Sequence, residues 1–124
     1  MLVIDGDASA RCGISMKGIE IVVKGSIGAM SAFMAQSGNL VVLGDAGDAL
    51  GDSIYEANLY VRGMVKSLGA DCVEKELRDE HKADLRRLLD AAGLDETAII
   101  DREVFVAVYV DLRATALVTE AGEI

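Results

Sequence analysis

The sequence predicts a mainly β fold: a single-stranded parallel β-helix of about four 19-residue rungs, with a C-terminal capping α-helix and a tail of separate character. Three observations carry this. Glycines stand at Gly6, Gly25, Gly44 and Gly63, each nineteen residues after the last. Aliphatic residues keep the same phase, with Leu2, Ile21, Leu40 and Leu59 four before each glycine and Ile4, Val23, Val42 and Val61 two before. Short apolar runs precede the glycines: Ile19–Val23, Leu40–Leu43 and Leu59–Val61. A fixed period of about 20 residues marks a solenoid, and a two-helix repeat needs roughly 33. The runs are β-branched or leucine-rich and short, which suits buried strands.

The first element is the coil itself, residues 1–75. In a β-helix, equivalent residues of successive rungs stack about 4.8 Å apart. The Ile4/Val23/Val42/Val61 row is then an inward aliphatic ladder, joined two residues after each glycine by Ala8, Ile27, Ala46 and Val65. The glycine row is read as a corner, because glycine adopts φ > 0 without a steric penalty. Gly28 and Gly47 share a second column, and Gly13 and Gly51 a third with Ala32 and Ala70. The asparagine and leucine ladder of a leucine-rich repeat is missing. The site residues expected on this reading are structural corner glycines: Gly6, Gly25, Gly44, Gly63, Gly28, Gly47 and Gly51.

The rung beginning at Leu2 has no polar cap before it. An open sheet edge needs covering, so the sequence implies either a longer protein or a partner stacked on that end. The densest motif follows in Gly44-Asp-Ala-Gly47-Asp-Ala-Leu-Gly51-Asp. As a phosphate cradle it lacks the P-loop lysine, and Asp45, Asp48 and Asp52 would repel the anion. As a calcium site it has carboxylates but not the nine-residue repeat of the calcium-binding β-roll. The third reading is turn chemistry, with glycines at corners and aspartates capping them.

The second element is an amphipathic helix within 76–93. Leu77, Leu85, Leu88, Leu89 and Ala92 share one face. Asp84 and Arg87, and Glu74 and Arg78, are spaced to pair on the other. Gly93 reads as its stop, and the helix is expected over the open C-terminal end of the coil. His81, on the apolar side, reads as a packed side chain rather than a catalyst. The third element, 94–124, has no trace of the period. Its apolar run Val104–Val110 reads as a strand buried on both faces or one that pairs with another chain.

Composition narrows the function. The chain is 52% hydrophobic but 4% aromatic, without Trp or Pro, so its core is aliphatic, as narrow stacked rungs require. A net charge of −9 argues against nucleic acid and anionic membranes as partners. No basic n-region precedes the apolar Met1–Ile4, and no apolar run reaches the ~18 residues of a membrane span. Cys12 and Cys72 lie three rungs apart, about 14 Å at the spacing of paired strands. A disulfide needs Cα atoms within about 7 Å. Two free thiols and a reducing, cytoplasmic location are expected. Two cysteines are also too few for an iron–sulfur cluster.

The segments Gly38–Glu56 and Leu59-Tyr-Val-Arg-Gly63, with Ser67–Cys72 and the charged helix after them, resemble a known family. They are similar to the C-terminal glycine-patterned (GXGXG) domain of the large subunit of glutamate synthase. The match is nearest to the form made as a separate subunit in archaeal-type enzymes. Related domains occur in a subunit of formylmethanofuran dehydrogenase and in one of N-methylglutamate synthase. The resemblance covers about three quarters of the chain, from Gly6 to about Gly93. It implies a right-handed parallel β-helix that carries no catalytic residue. In glutamate synthase that domain spaces the glutamine amidotransferase from the FMN barrel that makes glutamate. The family domain has more rungs before this point, and its usual ending differs from the tail here.

The residues agree with a part of an oxidoreductase that has no active site of its own. An amidotransferase of this type needs an N-terminal cysteine nucleophile, and residue 2 is Leu. The chain has one histidine and no barrel-length α/β pattern for FMN. FMN and the iron–sulfur cluster are therefore expected on partner subunits. The partners expected are amidotransferase and FMN-barrel proteins or further copies of the chain. Two alternatives stand beside this reading. One is the formylmethanofuran or N-methylglutamate system. The other is a small-molecule-binding module using the Gly44–Gly51 loop.

Overall fold

The structure is a computed structural model that describes residues 1–70, 72–75, 79–94 and 106–109, with the backbone alone for 74–75 and 106–109. Four strands, β1 (Leu2–Ile4), β2 (Ile19–Val23), β3 (Gly38–Val42) and β4 (Asn58–Val61), stack in parallel. Their register is the sequence period: Leu2 pairs with Ile21, Ile21 with Leu40 and Leu40 with Leu59. The chain is a β-solenoid of about three full turns between its first and fourth strands, as the period predicts. Two further strands, β5 (Val73–Lys75) and β6 (Val106–Tyr109), complete a six-stranded sheet of order β1-β2-β3-β4-β6-β5.

The alternation of side chains in a strand gives each turn two apolar faces. Ile21, Val23, Leu40, Val42, Leu59 and Val61 point into the coil, where they meet Met16, Ile27, Ala35, Ala46, Leu50 and Ile54. Val22, Val41 and Tyr60 point the other way. They are covered by Leu85, Leu88 and Leu89 of the helix α1 (Asp79–Ala91). All six of these side chains are 1% exposed or less, and burying each stabilises by roughly 1.5–3 kcal/mol.

The helix therefore lies along the flank of the sheet, not over its C-terminal end as the sequence suggested. The outward column of Val22, Val41 and Tyr60 requires a cover, and the end of the sheet is already occupied. There β6 pairs antiparallel with β4 through Asn58↔Tyr109 to Val61↔Val106. On its other side β6 pairs with β5. The apolar run of the tail thus supplies a strand to this chain's own sheet. Gly93 ends the helix as expected, at φ 77°, with the Leu94 N–H donating to the Leu89 carbonyl at 2.8 Å. His81 packs its ring at an angle against Tyr60, with centroids 6.3 Å apart. Among the described residues no helix is long and apolar enough to cross a membrane.

One irregularity breaks the period. Ala46 bridges to Val65 nineteen residues on, but Leu50 bridges to Leu68, only eighteen on. One residue is missing from the corner between Val65 and Leu68. The small-residue column continues from Gly51 to Gly69, not to Ala70 as the period alone implied. The Gly69 N–H donates to the Leu50 carbonyl as the Gly51 N–H donates to that of Ser31, at 2.8 and 2.9 Å.

Candidate functional site

The site residues expected from the sequence are the column glycines, and the structure places them on the corners of the coil. Successive turns are bonded directly there. The N–H groups of Gly25, Gly44 and Gly63 donate to the carbonyls of Gly6, Gly25 and Gly44 at 3.0, 2.8 and 2.9 Å. Their reason for being glycine differs from the expected one. Of the seven, only Gly51 has a left-handed backbone, at φ 70°. Gly25, Gly28, Gly44, Gly47 and Gly63 are glycine because the preceding turn is too near. A β-carbon on Gly44 would lie 2.7 Å from the Gly25 carbonyl carbon and collide with the Ser26 hydroxyl. One on Gly28 would lie 2.7 Å from the Ala10 nitrogen, and one on Gly47 2.8 Å from that of Ala29. At Gly6 a β-carbon would meet nothing within 4 Å.

The left-handed positions fall elsewhere, and they also repeat. Arg11, Met30 and Ala49 form one such column, Gly13, Ala32 and Gly51 a second, and Ser15, Met34 and Ser53 a third. Most of them are not glycine, at a strain of about 1–2 kcal/mol each. The backbone bonds between turns hold them: Arg11 N–H to the Ala29 carbonyl and Met30 N–H to that of Asp48, at 2.9 and 2.8 Å.

Side chains beside the glycine ladder tie each turn to the next. The Asp7 carboxylate accepts the Ser26 N–H, the Ser26 hydroxyl accepts the Asp45 N–H, and the Asp45 carboxylate accepts the Met64 N–H, at 2.8, 2.9 and 2.8 Å. The acidic loop behaves in the same way. Asp48 accepts from the Ser67 hydroxyl at 3.2 Å and faces Lys66 at 3.5 Å. Asp52 accepts from the Ser53 hydroxyl and from the Ala70 N–H, at 2.7 and 3.2 Å. The loop amides are also occupied. Ala46, Gly47, Ala49, Leu50 and Gly51 donate to Met64, Ile27, Ser67, Ser67 and Ser31. An anion would find these donors already used, and no group of three or more metal-ligating side chains exists among the described residues.

Asp84 and Arg87 pair as their spacing predicts, but the larger polar constellation they join was not read from the sequence. Arg87 of α1 grips Glu20 of β2 through both oxygens, at 3.3 and 2.7 Å, while also holding Asp84 at 2.8 Å. Asn39 donates to the same carboxylate at 3.2 Å and accepts from Asn58 at 3.4 Å. Arg87, then Asn39, holds the Glu20 carboxyl below its ordinary range. The signal was the column Glu20/Asn39/Asn58, polar on three successive turns beside an apolar outward row.

The thiols are separate, as expected. Burial, with the Asp52 carboxylate adding to it, pushes the Cys72 thiol up to about 12, and burial raises Cys12 as well. Neither is primed as a nucleophile. The surface hollow lined by Met34, Gln36, Tyr55 and Glu56 holds one carboxylate and one amide.

These features define a solenoid whose repeated residues serve its own stacking. No family model matches the chain, and no solved structure does. It is similar to Protein GlxC of Rhizobium meliloti (strain 1021), 70% identical over 70 residues, which are 56% of this chain and 31% of that protein. The matched part of the chain thus spans under a third of that relative's length.

Proposed function

We propose that the chain is a non-catalytic scaffold in a glutamate-synthase-like complex, holding an amidotransferase and an FMN-dependent synthase part in register. The observation that carries this is the commitment of the coil's polar groups. The carboxylates of Asp45, Asp48 and Asp52, and the amides of Ala46, Gly47, Ala49, Leu50 and Gly51, are bonded between turns or to their own neighbours. A rod so tied to itself is stiff, which is what a spacer between active sites requires. The likeness of Gly38–Glu56 to the glycine-patterned domain supports the same reading. So does the identity with Protein GlxC.

A tagged pull-down from the native host, with a flavin absorbance scan of the eluate, tests it. Recovery of a flavin-bearing barrel protein with an amidotransferase is the expected result. A colourless eluate holding only this chain would sink the proposal. Calorimetric titration with glutamine, 2-oxoglutarate, nucleotides and calcium gives a second measurement, for which no heat of binding is expected.

A further inference from the structure

Stacking repeats what stacking demands, and one corner of the coil does not repeat. Met34 stands in a column with Ser15 and Ser53, Tyr55 with Lys17 and Gln36, and Glu56 with Gly18 and Ser37. Met34 and Tyr55 are 42% and 55% exposed, so the core does not explain them. Met34, Gln36, Tyr55 and Glu56 line a hollow of about 430 Å³ that is open to solvent. Bonds between turns hold its backbone. The Met34 N–H donates to the Asp52 carbonyl at 2.9 Å. The N–H groups of Gln36, Tyr55 and Glu56 donate to the carbonyls of Met16, Ala35 and Gln36 at 2.8, 2.9 and 3.0 Å. The four side chains make no hydrogen bond or ion pair among the described residues.

We propose that this hollow receives an arginine side chain presented by a protein partner. The lining supplies what a planar cation on an apolar stem requires. Met34 and the Tyr55 ring suit its methylenes, the ring also attracts the cation, and Glu56 can accept two guanidinium N–H groups. The Gln36 amide oxygen is a further acceptor. Among the described residues no lysine or arginine lines the hollow. Lys17 stands one turn beyond Gln36 in the same column. The net charge of −9 draws a cation in the same sense. Small-molecule sites bury about 70–90% of their ligand, which four exposed residues do not. A side chain projecting from a partner's surface brings its own cover. Tyrosine and arginine are also enriched where partners bind most tightly. The inference does not depend on which enzyme the coil serves.

Titration of the purified chain with the blocked tripeptide glycine–arginine–glycine, followed by NMR, tests this. Shifts of the Met34 methyl and Tyr55 ring signals are expected. The same peptide with citrulline, which keeps the shape without the charge, should give none. Tyr55→Ala and Glu56→Gln should each weaken binding by about fivefold. Both side chains are exposed, so the circular dichroism spectrum should not change. No response, equal shifts with citrulline, or binding indifferent to both substitutions would overturn the proposal. Free arginine bound more tightly than the peptide would also overturn it, because the occupant would then be a metabolite. No other protein is present, so this result stands or falls apart from the pull-down.

Discussion

The N–H of Gly63 donates to the carbonyl of Gly44 at 2.9 Å, and a β-carbon on Gly63 would lie 2.7 Å from that same carbonyl carbon. One contact explains both the bond and the residue type. The glycine column is required by proximity between turns and not by a left-handed backbone.

Substitution along that column should therefore depend on which turn lies beneath. Gly44→Ala should cost about 1–3 kcal/mol by overpacking, and Gly44→Val more. Gly6→Ala, with nothing within 4 Å of its β-carbon, should change stability by less than about 0.5 kcal/mol. Thermal melts of the three variants decide the matter. Equal losses at Gly6 and Gly44 would return the explanation to backbone conformation.

The Asp45 carboxylate accepts the Met64 N–H at 2.8 Å. Asp45→Asn keeps an acceptor and should be nearly neutral, whereas Asp45→Ala should cost about 1 kcal/mol. Calcium should leave the melting temperature of both variants and of the parent unchanged. A calcium-dependent rise lost in Asp45→Asn would mean the carboxylate binds a cation instead.

Glu20 and Arg87 are partly in solvent, so their pair should contribute under about 1 kcal/mol in a double-mutant cycle. The folded-state pKa of Glu20 is lowered. Its contribution is accordingly present above the unfolded value of about 4.3 and lost as pH falls through the folded one. Denaturant melts from neutral pH down to pH 3, for the parent and for Glu20→Gln, should converge at the acid end. Parallel curves would show that the pair adds nothing to stability.

The thiols should resist modification in order of burial. At pH 8 a thiol reagent should label Cys12 faster than Cys72, and both should react rapidly in denaturant. The raised pKa of Cys72, to about 12, has the opposite sign to that of Glu20. The unfolded thiol loses its proton from about pH 8.5, so stability falls with pH above that value. If Cys72 reacts first, its burial does not govern its reactivity.

The period of Gly6, Gly25, Gly44 and Gly63 carried the coil, its register and its inner column, because stacking repeats any residue that stacking demands. The same logic hid the rest. A residue count cannot show that the corner of Lys66 and Ser67 is one residue short, so Gly69 was missed and Ala70 taken in its place. The leucine stripe of α1 marked a buried face but not the surface that buries it. Val22, Val41 and Tyr60, alternating with the inward row, held that information. Whether a strand faces one core or two is not written in any single turn. The acidic loop Gly44–Gly51 looked like a binding motif because the aspartates and serines that cap backbone resemble those that hold ligands.

The nineteen-residue register of β1 to β4 also constrains the gene. Nineteen codons could be duplicated or lost within the coil and every column would still meet its own kind. A change of one codon inside a strand would turn the inward aliphatics out. Length here should vary among descendants in whole turns. The one-residue deficit between Val65 and Leu68 lies outside the strands, where the alternation of faces is not at stake.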